Sequence, residues 1–280
     1  MELQIVVSSL ALAFVFMWIQ SLYWAMPMRV WVTSALVIGL TTATAMALIV
    51  GWAPGLGALA RLVIEGVLVA ITAVAALMLF VFRDPERIPP EEDGVILSPA
   101  DGRVIYVKKI EPGSHFVTIK AGTKYPLEEL LENPWPSQGG HLIGIEMNVL
   151  DVHVNRAPVA GRVILCKAIK GGFPGLGKPN AEVRSQRAVT LIDDGKISVA
   201  VVQIASRFVR GIVSYVKEGQ EVALGERIGM IRFGSQVDLA IPDSVAYAVA
   251  VEPGQTVKAG QTVLARFGQG LRQESLKGRS

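Results

Sequence analysis

Three long apolar runs fill the first 82 residues, and they constrain the fold of this chain more than any other feature. They cover residues 5–24, 30–52 and 62–82, and the charged residues in this part of the chain are only Glu2, Arg29, Arg61 and Glu65. Each run is close to the length of about 20 residues that a helix needs to cross the hydrocarbon core of a bilayer. The sequence therefore predicts an N-terminal membrane segment of about three α-helices over residues 1–82.

The basic residues beside these runs predict the orientation of the helices. Arg29 follows the first run, while Arg83 and Arg87 follow the third, so three spans place all of them on one side. Cytoplasmic loops are enriched in Lys and Arg. We therefore expect a multi-pass protein of the cell (inner) membrane whose C-terminal domain faces the cytoplasm, with Arg61 as the exception. A cleaved signal peptide is the competing interpretation of the first run, but no basic stretch precedes that run and no small-residue cleavage site follows it.

Beyond residue 82 the pattern changes to short β-branched runs separated by glycine and proline. Residues 83–93, with Pro85, Pro89 and Pro90, are predicted to form a stiff linker because proline fixes φ and ends a helix. Many short strands at close spacing are typical of an all-β sandwich or barrel. We predict such a domain for residues 94–280, with few short helices, of which residues 126–133 are the best candidate. The predicted strands are residues 95–97, 103–108, 116–119, 142–147, 162–169, 189–193, 197–205, 211–216, 227–233, 237–241 and 263–267.

Weak internal repeats lie within the predicted β domain. Residues 216–225 resemble residues 251–260, and residues 98–104 resemble residues 157–163. Such repeats resemble the biotinyl/lipoyl type of β-sandwich, in which a glycine-rich turn joins paired hairpins. An Arg-Phe-Gly follows each copy of the first repeat, but the next residue is Ser235 in one copy and Gln269 in the other. The corner of the sandwich therefore does not itself require a serine.

Ser235 has the most distinctive chemistry in this setting. It directly follows a glycine at the end of the β-type run 228–233, where the backbone can bend sharply and bring the hydroxyl oxygen onto the preceding carbonyl. This geometry suits an N-to-O acyl shift. Elimination from the resulting ester would convert the serine into dehydroalanine, and hydrolysis would then give a pyruvoyl group and ammonia. A glycine-serine turn that only ends a strand is the simpler interpretation of these two residues taken alone.

Asp101 and His153 are two further candidates for the site. Asp101 precedes a glycine, where aspartate is most often a turn residue, yet its counterpart in the repeat is Ala160. The turn therefore does not need a carboxylate. His153 alternates with Asp151 and Asn155, and residues two apart lie on the same face of a strand. A polar face beside an apolar core indicates a site.

Charge and cysteine content argue against other classes of function. The formal net charge is only +3, and no cluster of Lys and Arg is interleaved with aromatic residues, so we predict no nucleic-acid partner. The three histidines, His115, His141 and His153, are dispersed, and Cys166 is the single cysteine, so we predict no metal site. A single cysteine also cannot form an internal disulfide, which fits a reducing compartment.

Three separated motifs, in this order, resemble the phosphatidylserine decarboxylase family of pyruvoyl-dependent, self-cleaving proenzymes. They are Ser98-Pro99-Ala100-Asp101-Gly102-Arg103-Val104, Leu150-Asp151-Val152-His153-Val154-Asn155-Arg156-Ala157-Pro158 and Arg232-Phe233-Gly234-Ser235, and the resemblance covers residues 82–267. It implies a processing triad in which His153 takes the proton of Ser235 and Asp101 orients the imidazole. Cleavage between Gly234 and Ser235 would leave a β chain of residues 1–234 and an α chain of residues 235–280.

The resemblance also implies the reaction and its cofactor. The pyruvoyl group made from Ser235 would form a Schiff base with the amine of phosphatidylserine in the membrane, and loss of CO2 would yield phosphatidylethanolamine. Neither a metal nor PLP is expected. Arg156 and Lys178 are candidates for substrate binding because they are basic and lie in a motif or in the glycine-rich loop 171–178. The β chain and α chain would remain partners, and the sequence leaves a homo-oligomer open.

Some positions depart from the family pattern. The family has a basic residue after the serine, where this chain has Gln236, and its Asn-Glu-Arg run is replaced by the sequence of residues 180–187. These departures concern selection of the substrate more than the pyruvoyl chemistry.

Two other functions are compatible with the predicted fold. A membrane-tethered adaptor or carrier of the biotinyl/lipoyl type would need a lysine at a hairpin tip, commonly between methionines, and no Met-Lys-Met occurs. A serine hydrolase acting on external esters through Asp101, His153 and Ser235 would be expected to have a Gly-x-Ser-x-Gly motif, which is also missing.

Overall fold

A computed structural model of the chain describes residues 2–24, 26–114, 116–120, 123–126, 139–169, 186–205, 211–232 and 235–267. The chain divides into two compact units, Met1–Phe82 and Arg83–Ser280. The boundary falls where the apolar runs end, and residues 83–93 belong to the second unit.

The first unit contains three helices that are long and apolar enough to cross a membrane. They are α1 Glu2–Trp24, α2 Met28–Trp52 and α3 Ala58–Val81. A glycine lets α1 and α2 approach closely, because a Cβ added at Gly39 would lie 2.8 Å from Leu10 Cδ2 and 3.0 Å from Leu10 Cα. Small residues at helix contacts are the usual means of packing helices in a bilayer. The predicted group of three apolar helices is confirmed.

Glu65, the charged residue inside the third apolar run, is enclosed between helices. It is 4% exposed, and the hydroxyls of Ser8 and Ser9 donate hydrogen bonds of 2.8 Å and 3.2 Å to its Oε1 atom. Ionisable side chains in membrane helices usually face the interior of the bundle and have polar partners. Glu65 is therefore compatible with α3 as a spanning helix, and it links α3 to α1.

The second unit is built from short β-strands, as the sequence predicts. Its strands are β1 Val95–Leu97, β2 Gly102–Ile110, β3 Val117–Lys120, β4 Thr123–Pro126, β5 Gly140–Met147, β6 Val154–Arg156, β7 Gly161–Ile169, β8 Arg187–Asp193, β9 Ser198–Ile204, β10 Ile212–Ser214, β11 Glu221–Val222, β12 Arg227–Ile231, β13 Ser235–Pro242, β14 Tyr247–Val249, β15 Thr256–Val257 and β16 Val263–Phe267. Residues 127–133 of the predicted helix lie outside the described residues, and Pro126 ends β4.

An eight-stranded antiparallel sheet forms the framework of this unit, in the order β11-β7-β8-β9-β13-β5-β2-β15. Strand β13 lies in its interior between β5 and β9. Two three-stranded sheets, β1-β16-β14 and β10-β12-β6, accompany it. The mainly β domain is thus confirmed, while its relation to the biotinyl/lipoyl type remains a prediction.

Both faces of the large sheet are covered by apolar side chains. Val237, Leu239 and Ile241 of β13 are fully buried in the larger core cluster. Ala240, which alternation places on the opposite face, packs in a second cluster with Phe116. Strand β13 is therefore buried on both sides.

The internal repeat is visible in the backbone pairing. Gly102 begins β2 and pairs with Val257, while Gly161 begins β7 and pairs with Val222. Both glycines have positive φ, 147° and 152°, and a Cβ at either would lie about 2 Å from a carbonyl oxygen (2.2 Å and 2.1 Å). The two copies thus form opposite ends of one sheet, and each needs a glycine where its strand begins.

Gly144 of β5 gives a test of packing in the sheet. A Cβ at this position would lie 2.4 Å from Tyr106 Cζ, and the ring cannot swing away easily because the Tyr106 hydroxyl donates a 2.5 Å hydrogen bond to Asp238. We predict that Gly144→Ala lowers the free energy of unfolding by about 1–3 kcal/mol through overpacking. Calorimetric melting of the purified chain would measure the loss.

The control is the same change in a Tyr106→Ala background, where the ring no longer occupies the space. There Gly144→Ala should have almost no further effect on melting. An equal loss in both backgrounds would contradict the role given to the Tyr106 ring.

Candidate functional site

The sheet pairing brings the second and third motifs to one end of the unit. Ser235 is the first residue of β13 and pairs with Met147, the last residue of β5. The chain then turns through residues 148–152 to β6, which pairs with β12, and Ile231 N donates a 3.0 Å hydrogen bond to the His153 carbonyl. His153 therefore lies six residues after Met147, the last residue of β5, and Ser235 lies four residues after Ile231, the last residue of β12. Gly234 lies outside the described residues.

The first motif is held against the second by backbone hydrogen bonds. The carbonyl oxygen of Pro99 accepts from Arg156 N at 2.9 Å and from Asn155 Nδ2 at 3.3 Å. Asn155 is fully buried, and Gln203 of β9 donates a 2.8 Å hydrogen bond to its Oδ1. The polar residue that the sequence places beside His153 thus connects the Asp101 turn to the large sheet.

His153 is fully buried, and its two ring nitrogens have different surroundings. Nδ1 lies 2.8 Å from the carbonyl oxygen of Asp151. Because a carbonyl only accepts, Nδ1 carries the proton, and Nε2 presents a lone pair. Nε2 is buried and has no hydrogen-bond partner within the described part of the chain. This arrangement suits a general base that accepts a proton at Nε2.

The electrostatic surroundings of His153 favour the neutral imidazole. Burial lowers the pKa of His153 below its ordinary value; the hydrogen bond to Asp151 opposes this, the charge of Arg83 adds to it, and the charge of Asp101 opposes it. Desolvation disfavours a buried charge, so the ring is neutral near pH 7.

Asp101 is also buried, but its carboxylate binds Arg87, which was expected only to lie in the linker and to mark the cytoplasmic side. Arg87 Nη2 donates to Asp101 Oδ2 at 2.7 Å, and Arg87 Nη1 contacts Oδ1. The Ala259 amide also donates to Oδ1 at 2.8 Å. These hydrogen bonds do not join Asp101 to His153, whose Nδ1 is bound by the Asp151 carbonyl instead. The direct contact between Asp101 and His153 that the family resemblance implies therefore stays a prediction. The connection between them in the structure is electrostatic, because the charge of Asp101 raises the pKa of His153 against the lowering effect of burial.

Residues 83–87, which we call the juxtamembrane segment, contact several parts of the β domain. Arg83 Nη2 donates a 2.6 Å hydrogen bond to the Leu150 carbonyl, in the turn before His153. Asp84 and Glu86 pair with Arg227 at 2.5 Å and 2.6 Å. The charges of this segment are the sequence signal for these contacts, and those of Arg83 and Arg87 were interpreted only as a sign of membrane orientation.

The predicted substrate-binding residues are placed differently from one another. Arg156 is 3% exposed, and its guanidinium donates to Gly225 O at 3.0 Å, Pro85 O at 3.0 Å and Asp84 Oδ1 at 3.2 Å. A role in binding phosphate stays a prediction for Arg156. Lys178 lies outside the described residues.

A second buried polar cluster was not anticipated from the sequence. Gln236 Nε2 donates to Asp238 Oδ1 at 2.8 Å and to the Tyr106 hydroxyl at 3.2 Å. Asp238 is fully buried on the sheet face opposite Val237 and Leu239. Gln236, which departs from the family pattern, thus satisfies a buried acid. The alternation of Gln236 and Asp238 along β13 was the available signal.

Metal ligands need to cluster to form a site. Within the described ranges, no group of three or more His, Cys, Asp or Glu side chains is arranged to hold a metal ion. The prediction of a metal-free enzyme stays a prediction.

Comparison with known proteins identifies the family of this chain. A model of the phosphatidylserine decarboxylase family matches residues 74–265. A putative archaetidylserine decarboxylase proenzyme of Methanothermobacter thermautotrophicus is 41% identical over 209 residues, covering 74% of this chain and 87% of the relative. Phosphatidylserine decarboxylase proenzymes of Erythrobacter litoralis (41%; 67% of this chain, 72% of the relative) and Symbiobacterium thermophilum (39%; 78% and 94%) are also similar. The chain belongs to the phosphatidylserine decarboxylase family.

Proposed function

We propose that this protein is a membrane-bound phosphatidylserine decarboxylase, made as a proenzyme that cuts itself between Gly234 and Ser235. The observation that carries the proposal is the buried Nε2 atom of His153, which has a lone pair and no partner in the described ranges. His153 directly precedes β6, the strand that pairs with β12, and its carbonyl oxygen accepts a hydrogen bond from Ile231 N, four residues before Ser235. Relatives named as decarboxylase proenzymes support the activity.

The first step of self-cleavage rearranges the peptide bond without loss of atoms. Ser235 Oγ attacks the carbonyl carbon of Gly234 while His153 Nε2 takes the hydroxyl proton. The bond between the Gly234 carbon and the Ser235 nitrogen then breaks, and the proton passes to that nitrogen. The product is an ester that joins Gly234 to the side chain of Ser235.

Elimination from this ester then separates the two chains. A base removes the α-proton of Ser235, and the bond between Cβ and the ester oxygen breaks, which releases the carboxylate of Gly234. The dehydroalanine left at position 235 tautomerises to an imine, and one water molecule converts it to a pyruvoyl group with release of ammonia. The products are a β chain of residues 1–234 and an α chain of residues 235–280. A pyruvoyl group supplies an electron sink for the electron pair left by a departing CO2.

Asp101 acts in this proposal through its charge. Removal of the Ser235 proton creates an imidazolium in a buried site, where a positive charge without a counter-charge is unfavourable. The negative charge of Asp101 opposes the effects of burial and Arg83 on the pKa of His153. Asp101 therefore stabilises the charged form of His153 once it has accepted the proton.

The substrate we propose is a serine phospholipid, and its product is phosphatidylethanolamine. The relatives are named as decarboxylases of phosphatidylserine or, putatively, of archaetidylserine, and serine is the part that the two substrate names have in common. Arg156 and Lys178 are proposed to contact the phosphate. Arg156 would have to exchange its 3.2 Å contact with Asp84 for one with the lipid.

The location we propose is the cell (inner) membrane, with the β domain on the cytoplasmic side. Three apolar helices support membrane attachment, and the positions of Arg29, Arg83 and Arg87 support the orientation. The paired repeat at the two ends of the large sheet supports a relation to the biotinyl/lipoyl type of fold.

Ser235→Ala tests self-cleavage directly. The substitution removes both the attacking oxygen and the precursor of the pyruvoyl group, so the chain should remain one polypeptide without decarboxylase activity. Intact mass and gel analysis would measure the cut. Ser214→Ala, which changes an exposed serine of β10, should cleave normally, whereas a cut Ser235→Ala chain would refute the mechanism.

The pH dependence of self-cleavage tests His153. Because burial lowers the pKa of His153, the imidazole stays neutral as the pH falls through its ordinary value of about 6.5. We predict a constant rate of precursor cleavage from pH 7.5 to about 6.5 and a decline only at lower pH, as the ring takes up a proton. His141→Gln, which alters a half-buried histidine beside Tyr247, should leave this profile unchanged. A decline with a midpoint above about 6.5 would contradict the role of His153.

A further inference from the structure

A buried ion pair joins the juxtamembrane segment to Asp101. The side chains of Arg87 and Asp101 are 7% and 11% exposed. Both guanidinium Nη atoms contact the carboxylate, with 2.7 Å between Nη2 and Oδ2. A two-point arginine-carboxylate pair fixes orientation as well as distance. Arg87 therefore determines which way the carboxylate of Asp101 faces.

The same two side chains also hold the backbone of Ala259. Arg87 Nη1 donates to the Ala259 carbonyl at 2.8 Å, and the Ala259 amide donates to Asp101 Oδ1 at 2.8 Å. The carboxylate is thus held between a guanidinium and an amide that are themselves connected. Loss of Arg87 would leave one amide hydrogen bond to keep a buried carboxylate in place.

The juxtamembrane segment reaches the surroundings of His153 as well. Four residues before Arg87, Arg83 binds the carbonyl of Leu150, three residues before His153. One short segment therefore contacts both the Asp101 turn and the turn that leads to His153. These two contacts constrain how far apart Asp101 and His153 lie, although no hydrogen bond joins Asp101 to His153 directly in the described residues.

We propose that Arg87 is a positioning residue for self-cleavage, which holds the carboxylate of Asp101 at the place where it stabilises the imidazolium of His153. The inference rests on the proposed function, because it concerns the proton transfer from Ser235. A shift of about 1 Å in a catalytic group can lower a rate by about 10²-fold. The juxtamembrane segment, which the sequence predicts to be part of a linker, would thereby take part in self-cleavage.

The ion pairs that the juxtamembrane segment makes with Arg227 do not carry the same argument. Arg227 is partly exposed, and its partners Asp84 and Glu86 are also open to solvent, with Glu86 84% exposed. Exposed ion pairs usually contribute only about 0–1 kcal/mol. We therefore assign the positioning role to Arg87 rather than to the charge of the segment as a whole.

The test follows cleavage of the full-length precursor from the moment of its synthesis in a cell-free system with lipid vesicles. Arg87→Met keeps much of the apolar stem but removes the guanidinium, and it should slow cleavage about 10–10²-fold. Arg87→Lys should be intermediate because an ammonium keeps the charge without the two-point geometry. Gel analysis at timed intervals gives the rates.

The matched control is Arg266→Met, which breaks another two-point arginine-carboxylate pair of the same domain. Arg266 Nε and Nη2 contact Glu92 at 2.7 Å and 3.4 Å, but both side chains are about half exposed (50% and 44%). Its cleavage rate should equal that of the parent chain. Equal rates for Arg87→Met and the parent would overturn the positioning role.

Chemical rescue distinguishes positioning from support of the fold. Ethylguanidinium added to Arg87→Ala should restore part of the cleavage rate, whereas ethylammonium at the same concentration should restore less. Arg87 would only support the fold if Arg87→Met cleaved slowly and melted at a lower temperature, and if neither Arg87→Lys nor added ethylguanidinium restored cleavage.

A parallel Ser235→Ala sample separates this inference from the proposed function. A cut Ser235→Ala precursor would refute self-cleavage at this serine, whatever Arg87 does. An uncut Ser235→Ala precursor together with a normal Arg87→Met rate would refute only the role of Arg87.

Discussion

The pairing of β13 with β5 and β9 is the interaction on which the second unit depends. β13 pairs with β5 from Ser235 to Pro242, and Val237, Leu239 and Ile241 are fully buried. Burying a large aliphatic side chain stabilises a fold by about 1.5–3 kcal/mol. Cleavage before Ser235 would leave the pairing from Gln236 to Pro242 and the buried side chains of Val237, Leu239 and Ile241 in place. The α chain would therefore remain in the sheet without a covalent bond to the β chain, with its new N-terminus at the end nearest His153.

The buried charges near the proposed site differ in their energetics from the charges at the surface. Removing one partner of a buried ion pair typically costs about 3–5 kcal/mol, because it leaves the other charge uncompensated. Arg87 and Asp101 are in that position, while Arg227 and Glu86 are open to solvent. The tight coupling between the juxtamembrane segment and the β domain therefore resides in its buried contacts.

Local patterns predicted most of the fold and only part of the site. The apolar runs and the longer β-branched runs correspond to helices and strands, but β11 and β15 have two residues each and therefore no periodicity to recognise. The predicted start of one strand at Val237 was two residues late, because Ser235 and Gln236 are polar residues in a buried strand. Arg87 could not be assigned to Asp101, since an arginine fourteen residues earlier in a proline-rich segment gives no local sign of its partner.

The internal repeat distinguishes what the fold requires from what the site requires. Its two turns bind each other reciprocally: Arg156 N donates to Pro99 O, and Leu97 N donates to Pro158 O, both at 2.9 Å. These equivalent backbone contacts form although one turn carries a buried aspartate and the other an exposed Ala160. A buried carboxylate is unfavourable unless it is compensated, and the second turn forms without one. The carboxylate of Asp101 and the guanidinium that compensates it are therefore requirements of the site rather than of the turn.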